Sequence, residues 1–138
     1  YEQDLESRTF GVVVDTSGSM SAKQIGMALG SIASYAAAKD VPFVRIIFCD
    51  AKATDAGYLA PEDIAGRVKV TGRGGTILQP GVDCLEQAND FPKDGPILII
   101  TDGEIENDLK VRREHAFLLP RGNRLPFRTR GEVFYFRE

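Results

Sequence analysis

An open, mostly parallel α/β sheet is the fold class that three features of the 138-residue sequence predict. Apolar, β-branched runs recur along the chain at Thr9–Val14, Phe43–Cys49 (FVRIIFC) and Pro96–Thr101 (PILIIT), as strands buried on both faces do. Segments with helical spacing separate them. Parallel neighbours need crossovers, and strand–helix alternation supplies these. Polar residues then gather where strands end, at DTSGS (15–19) and at Asp102-Gly103.

After the first strand, Ser21 with Gln24 three residues later has the form of a capping box, and Ile25, Leu29, Ile32 and Ala36 repeat at helical spacing. This helix is expected to stop near Asp40, because Pro42 disfavours helical geometry in Val41. Phe43–Cys49 is the second strand, and Lys52–Leu59 a weaker third turning back beside it. Pro61–Ala65 is read as a short helical turn and Arg67–Val70 as extended. TGRGGT (71–76) holds three glycines and is expected to be a loop that wraps something or packs tightly. A helix follows to about Asn89, with Pro80 in its first turn and Val82, Leu85 and Ala88 on its inner face. His115–Leu119 and Glu132–Phe136 are the last two strands. The connection PRGNRLPFRTRG between them shows no apolar periodicity, so an antiparallel hairpin at the sheet edge is predicted there.

Length favours a single domain spanning 1–138, and no apolar run approaches the roughly 20 residues of a membrane span. The chain opens on Tyr1 without a basic-then-apolar leader and is read as a piece of a longer protein. Cys49 and Cys84 have neither a metal spacing nor a disulfide framework, so buried free thiols in a reducing cytosol are expected. Charge is unevenly spread: residues 110–138 carry eight Lys/Arg against three Glu, a balance of +5, which leaves −8 for residues 1–109 of the net −3.

Asp15, Ser17 and Ser19, then Thr76, then Asp102 all fall at strand ends or in adjoining loops, where open α/β sheets bind ligands. Two carboxylates and three hydroxyls, with no His or Cys, form a hard oxygen set suited to Mg²⁺ rather than Zn²⁺ or copper. A helix-capping turn would explain DTSGSM alone but not Thr76 and Asp102. A phosphate-cradling loop at TGRGGT would want a Lys after its last glycine, and none follows.

On these residues the sequence resembles a von Willebrand factor A-type (VWA) domain with a metal-ion-dependent adhesion site. DTSGS matches the family's DxSxS, GGT its glycine-threonine loop and ITDGE its TDG aspartate, across about Phe10–Leu119. The resemblance implies a three-layer, doubly wound, Rossmann-like sheet and a metal site of Asp15, Ser17, Ser19, Thr76 and Asp102. It implies Mg²⁺, with Mn²⁺ or Ca²⁺ as substitutes, and a protein partner whose Asp or Glu completes the coordination. The short tail resembles a bacterial VWA-like branch, which occurs at the C-terminus of proteins described as metallopeptidases; related systems pair VWA proteins with AAA+ ATPases. A cytoplasmic, non-catalytic interaction module without nucleic-acid binding is therefore expected.

Two other classes compete with it. A Mg²⁺-dependent phosphohydrolase of the aspartyl-phosphate kind would want DxD, and position 17 is Ser. A metallopeptidase needs ligands such as HExxH, which one His cannot supply, so any such chemistry would lie outside this chain. A structural domain with a vestigial site is the third class. His115 is read as structural, Glu104, Glu106 and Asp108 as a solvated helix start or as acids that shape partner choice, and the Arg-rich tail as a solvated edge or a patch for an acidic partner.

Overall fold

The computed structural model describes residues 9–16, 20–64, 66 and 77–136. Six strands, β1 (Gly11–Asp15), β2 (Val44–Cys49), β3 (Ala53–Leu59), β4 (Ile97–Ile100), β5 (His115–Pro120) and β6 (Glu132–Phe136), form one sheet in the order β3-β2-β1-β4-β5-β6. Only β3 is antiparallel to its neighbour; β2, β1, β4, β5 and β6 run parallel. The order reverses at β1, which pairs with β2 on one side and β4 on the other.

Helix α1 (Ala22–Ala38) begins on a reciprocal cap in which Gln24 N donates to Ser21 Oγ at 3.1 Å and Ser21 N to Gln24 Oε1 at 3.0 Å. Its buried stripe of Ile25, Ala28, Leu29, Ile32 and Ala36 lies over Val12, Val14, Ile46 and Phe48 on one face of the sheet. It ends as the proline signal predicts, with Asp40 at φ 55°. The short α2 (Pro61–Ile64) adds Ile64 to this core. Helix α3 (Gln79–Gln87), with Pro80 in its first turn, puts Val82 and Leu85 onto Val13, Ile47, Ile97, Ile99 and Phe117 on the opposite face. Gly81 brings α3 against the sheet: a Cβ there would lie 2.8 Å from Val13 Cγ1 and 3.1 Å from Cys49 Cβ. The two covered faces make the three layers that the sequence implied.

Two expectations are corrected. The last two strands are parallel rather than a hairpin, although β6 does lie at the sheet edge. Residues 121–131 return to the start of β6 without a helix, and extended chain at roughly 3.3 Å per residue readily spans a strand of this length. Leu125 and Phe127 of this segment pack onto the α3-side core, and Phe127 meets Phe117 edge-on at 5.8 Å between ring centres. The segment thus covers part of a sheet face that a crossover helix would otherwise cover. Nor does a helix follow Asp102: Glu104, Glu106 and Asp108 lie in irregular chain. The Gly-rich loop and Arg67–Val70 lie outside the described residues.

Candidate metal centre

Asp15 is the last residue of β1 and is fully buried; Asp102 lies two residues beyond the end of the adjacent β4 and is 4% exposed. Thr101 joins them. Its hydroxyl donates to Asp15 Oδ2 at 2.8 Å and accepts from Gly103 N at 3.1 Å, so one buried side chain fixes both the first carboxylate and the turn bearing the second. Asp102 Oδ1 accepts from Glu104 N at 3.0 Å, and Asp102 O accepts from Asn123 Nδ2 at 2.8 Å. Gly103 has φ 92°, and a Cβ there would collide with the Arg124 carbonyl. Glycine is therefore needed both for the turn and for the approach of the 121–131 segment.

Of the five residues expected to hold a cation, the structure brings Asp15 and Asp102 to the C-terminal ends of neighbouring strands. Ser17, Ser19 and Thr76 lie outside the described residues. The chain flanking the first two is anchored on either side, by Thr16, whose N donates to Cys49 O at 3.0 Å, and by the buried Met20. Beyond Thr76, the backbone of Leu78 and Gln79 donates to the Glu106 carboxylate at 2.9–3.0 Å. Glu106 thus caps the start of α3 and ties the chain after Asp102 to the chain after Thr76, a role favoured by the helix dipole.

The described donors suit a hard cation. Among the described residues no group of three or more His, Cys, Asp or Glu could hold a metal ion, so the described part of the centre consists of the two aspartates alone. Cys49 pairs in register with Asp15; burial pushes its thiol pKa up, and its Sγ donates to Ile77 O at 3.4 Å. Cys84 is half-buried and is likewise a free thiol whose pKa burial raises. His115 is held by Arg113 O at Nδ1 (2.8 Å) and by Thr129 Oγ1 at Nε2 (3.3 Å), an anchoring role.

A family model described as VWA-like domain (DUF2201) matches residues 10–113, three quarters of the chain. The chain belongs to this family. Among solved structures, the VWA-like chain is similar to an aerotolerance-related membrane protein from Bacteroides fragilis NCTC 9343, crystallised with multiple mutations to serines. That likeness has a TM-score of 0.57 at 18% identity and covers 86% of this chain and 71% of the other; at that identity it speaks to the fold alone. No curated protein matches. Among the described residues of the VWA-like domain, no helix is long and apolar enough to cross a membrane.

Thr101 and Asn123 were not singled out by the sequence, and Glu106 was read only as one acid of a solvated helix start or of a set that shapes partner choice. Thr101 stands directly before the TDG-type aspartate at a strand end, where a buried hydroxyl must find a partner, and that was the available signal.

Proposed function

We propose that this domain is a Mg²⁺-dependent, non-catalytic protein-interaction module in which Asp15, Ser17, Ser19, Thr76 and Asp102 hold the ion and a partner carboxylate completes its shell. The observation that carries this reading is the pair of buried carboxylates on adjacent strand ends, at the point where the strand order reverses, cross-linked through Thr101. Two carboxylates side by side carry like charge, which a divalent ion between them would offset. Two aspartates can at most balance the two charges of the ion, so an open coordination position stays electrophilic. An arriving Asp or Glu would exchange a water for a charged oxygen, whereas Lys or a neutral amide would gain far less.

Calorimetric Mg²⁺ titration of the wild type and of Asp15→Asn tests this. The substitution keeps an oxygen acceptor for Thr101 while removing the charge. The wild type is expected to bind one ion and the variant none, with the variant's thermal unfolding in chelator equal to or slightly above that of the wild type. Equal Mg²⁺ binding by both proteins would contradict the reading.

A further inference from the structure

The arginines of residues 121–131 do more than solvate an edge. From Asn123 to Arg130 the chain alternates strictly: Asn123, Leu125, Phe127 and Thr129 are half-buried, while Arg124, Pro126, Arg128 and Arg130 are exposed. Each inward residue has an identified role. Asn123 holds the Asp102 carbonyl, Leu125 and Phe127 join the α3-side core, and Thr129 meets His115. The segment is thereby a strap fixed along its length, and its near end sits on the Asp102-Gly103 turn. Its charge is of one sign, with Arg121, Arg124, Arg128 and Arg130 and no acid, and among the described residues none of the four forms an ion pair.

We propose that this strap is a recognition surface for an acidic peptide segment, whose Asp or Glu side chains lie on Arg124, Arg128 and Arg130 while a neighbouring carboxylate reaches the cation centre. The proposal rests on the cation reading above and specifies the class of partner. Guanidinium groups pair with carboxylates through two parallel hydrogen bonds, and Arg128 and Arg130 project from alternate positions. An extended peptide presents alternate side chains on one face at a spacing of roughly 7 Å, so two acids two positions apart can face Arg128 and Arg130, with Arg124 left for a third beyond Pro126. Nucleic acid fits less well. The outward positions offer no aromatic ring on which a base could stack, because Phe127 is turned inward against Phe117. The chain outside the strap, at −7, would also repel a long polyanion.

The test is fluorescence anisotropy with a labelled alternating Glu-Ser octapeptide in Mg²⁺ at low salt, using the wild type and the triple variant R124Q/R128Q/R130Q. All three positions are exposed, so thermal unfolding is expected to be unchanged. The triple variant is expected to bind about 10- to 100-fold more weakly, and wild-type binding to fall as salt rises. Equal affinity of the two proteins would overturn the proposal. Tighter, strap-dependent binding of oligothymidylate than of the peptide would also overturn it, in favour of nucleic acid. Repeating the titration in chelator separates the two readings. If the wild type loses nothing while the triple variant stays weaker, the cation reading fails and the strap stands; if the wild type weakens but the triple variant matches it, the strap fails and the cation centre stands.

Discussion

Thr101 holds the two aspartates in register through a single hydroxyl, donating to Asp15 and accepting from Gly103 N. Thr101→Val keeps the β-branched shape and removes both bonds, leaving a buried carboxylate oxygen without this donor. The expected cost is about 1.5–3 kcal/mol, read by urea denaturation in chelator, together with weaker Mg²⁺ binding. Unchanged stability would show that Asp15 is fixed from elsewhere. That Asp15 and Asp102 stand at the ends of buried strands was legible in the sequence, because each directly follows a continuous apolar, β-branched run. Their supports were not. Thr101 reaches its acceptor across 86 positions, Asn123 across 21, and Glu106 reaches Leu78 across 28. Glu106 looked like one acid in a solvated helix start, since no local pattern reveals that an acid will cap a helix elsewhere in the chain.

At the scale of elements, hydrophobic runs and proline positions predicted β1, β2, β4 and α1 well, because full burial and helix capping leave local traces in the sequence. The direction of β6 left none. A hairpin was the expectation for a connection without helical periodicity, but inward Leu125 and Phe127 let irregular chain perform the crossover. The antiparallel edge strand β3 is instead held to β2 by Arg45, whose Nε donates to Asp55 Oδ1 at 2.9 Å and whose Nη1 donates to Asp90 Oδ1 at 2.7 Å. The Arg45 hydrogen bond holds the Asp55 pKa below the usual carboxylate value, with burial opposing it. A lowered folded-state pKa contributes stability that is present above the unfolded value near 4 and is lost as pH falls through the folded value. Asp55→Asn is therefore expected to cost about 1 kcal/mol at neutral pH, a modest figure because the Asp55 side chain is 33% exposed. The difference from wild type should shrink below about pH 4. A gap in thermal stability that stayed constant down to pH 2 would show that the pair contributes shape rather than charge.

Across the whole molecule, the reversal of strand order at β1 sets the C-terminal ends of β1 and β4 side by side, with α1 and α3 entering on opposite faces and the arginine strap crossing beside Asp102. This architecture makes a claim about location. Other acids, such as Asp83 and Glu86, line a separate surface depression with Arg112 and Arg113. Lys93, Arg112 and Arg113 line the same depression and outnumber its two acids, so a divalent ion is expected to pass it by. Amide chemical-shift mapping during a Mg²⁺ titration of the wild-type chain tests the central claim most directly. The account predicts saturable shifts centred on Thr16, Thr101, Gly103 and Glu104, extending to Asn123 and abolished in Asp15→Asn. Shifts centred on Asp83, Glu86 and Arg112 instead, or no saturable change at the β1 and β4 ends, would contradict it.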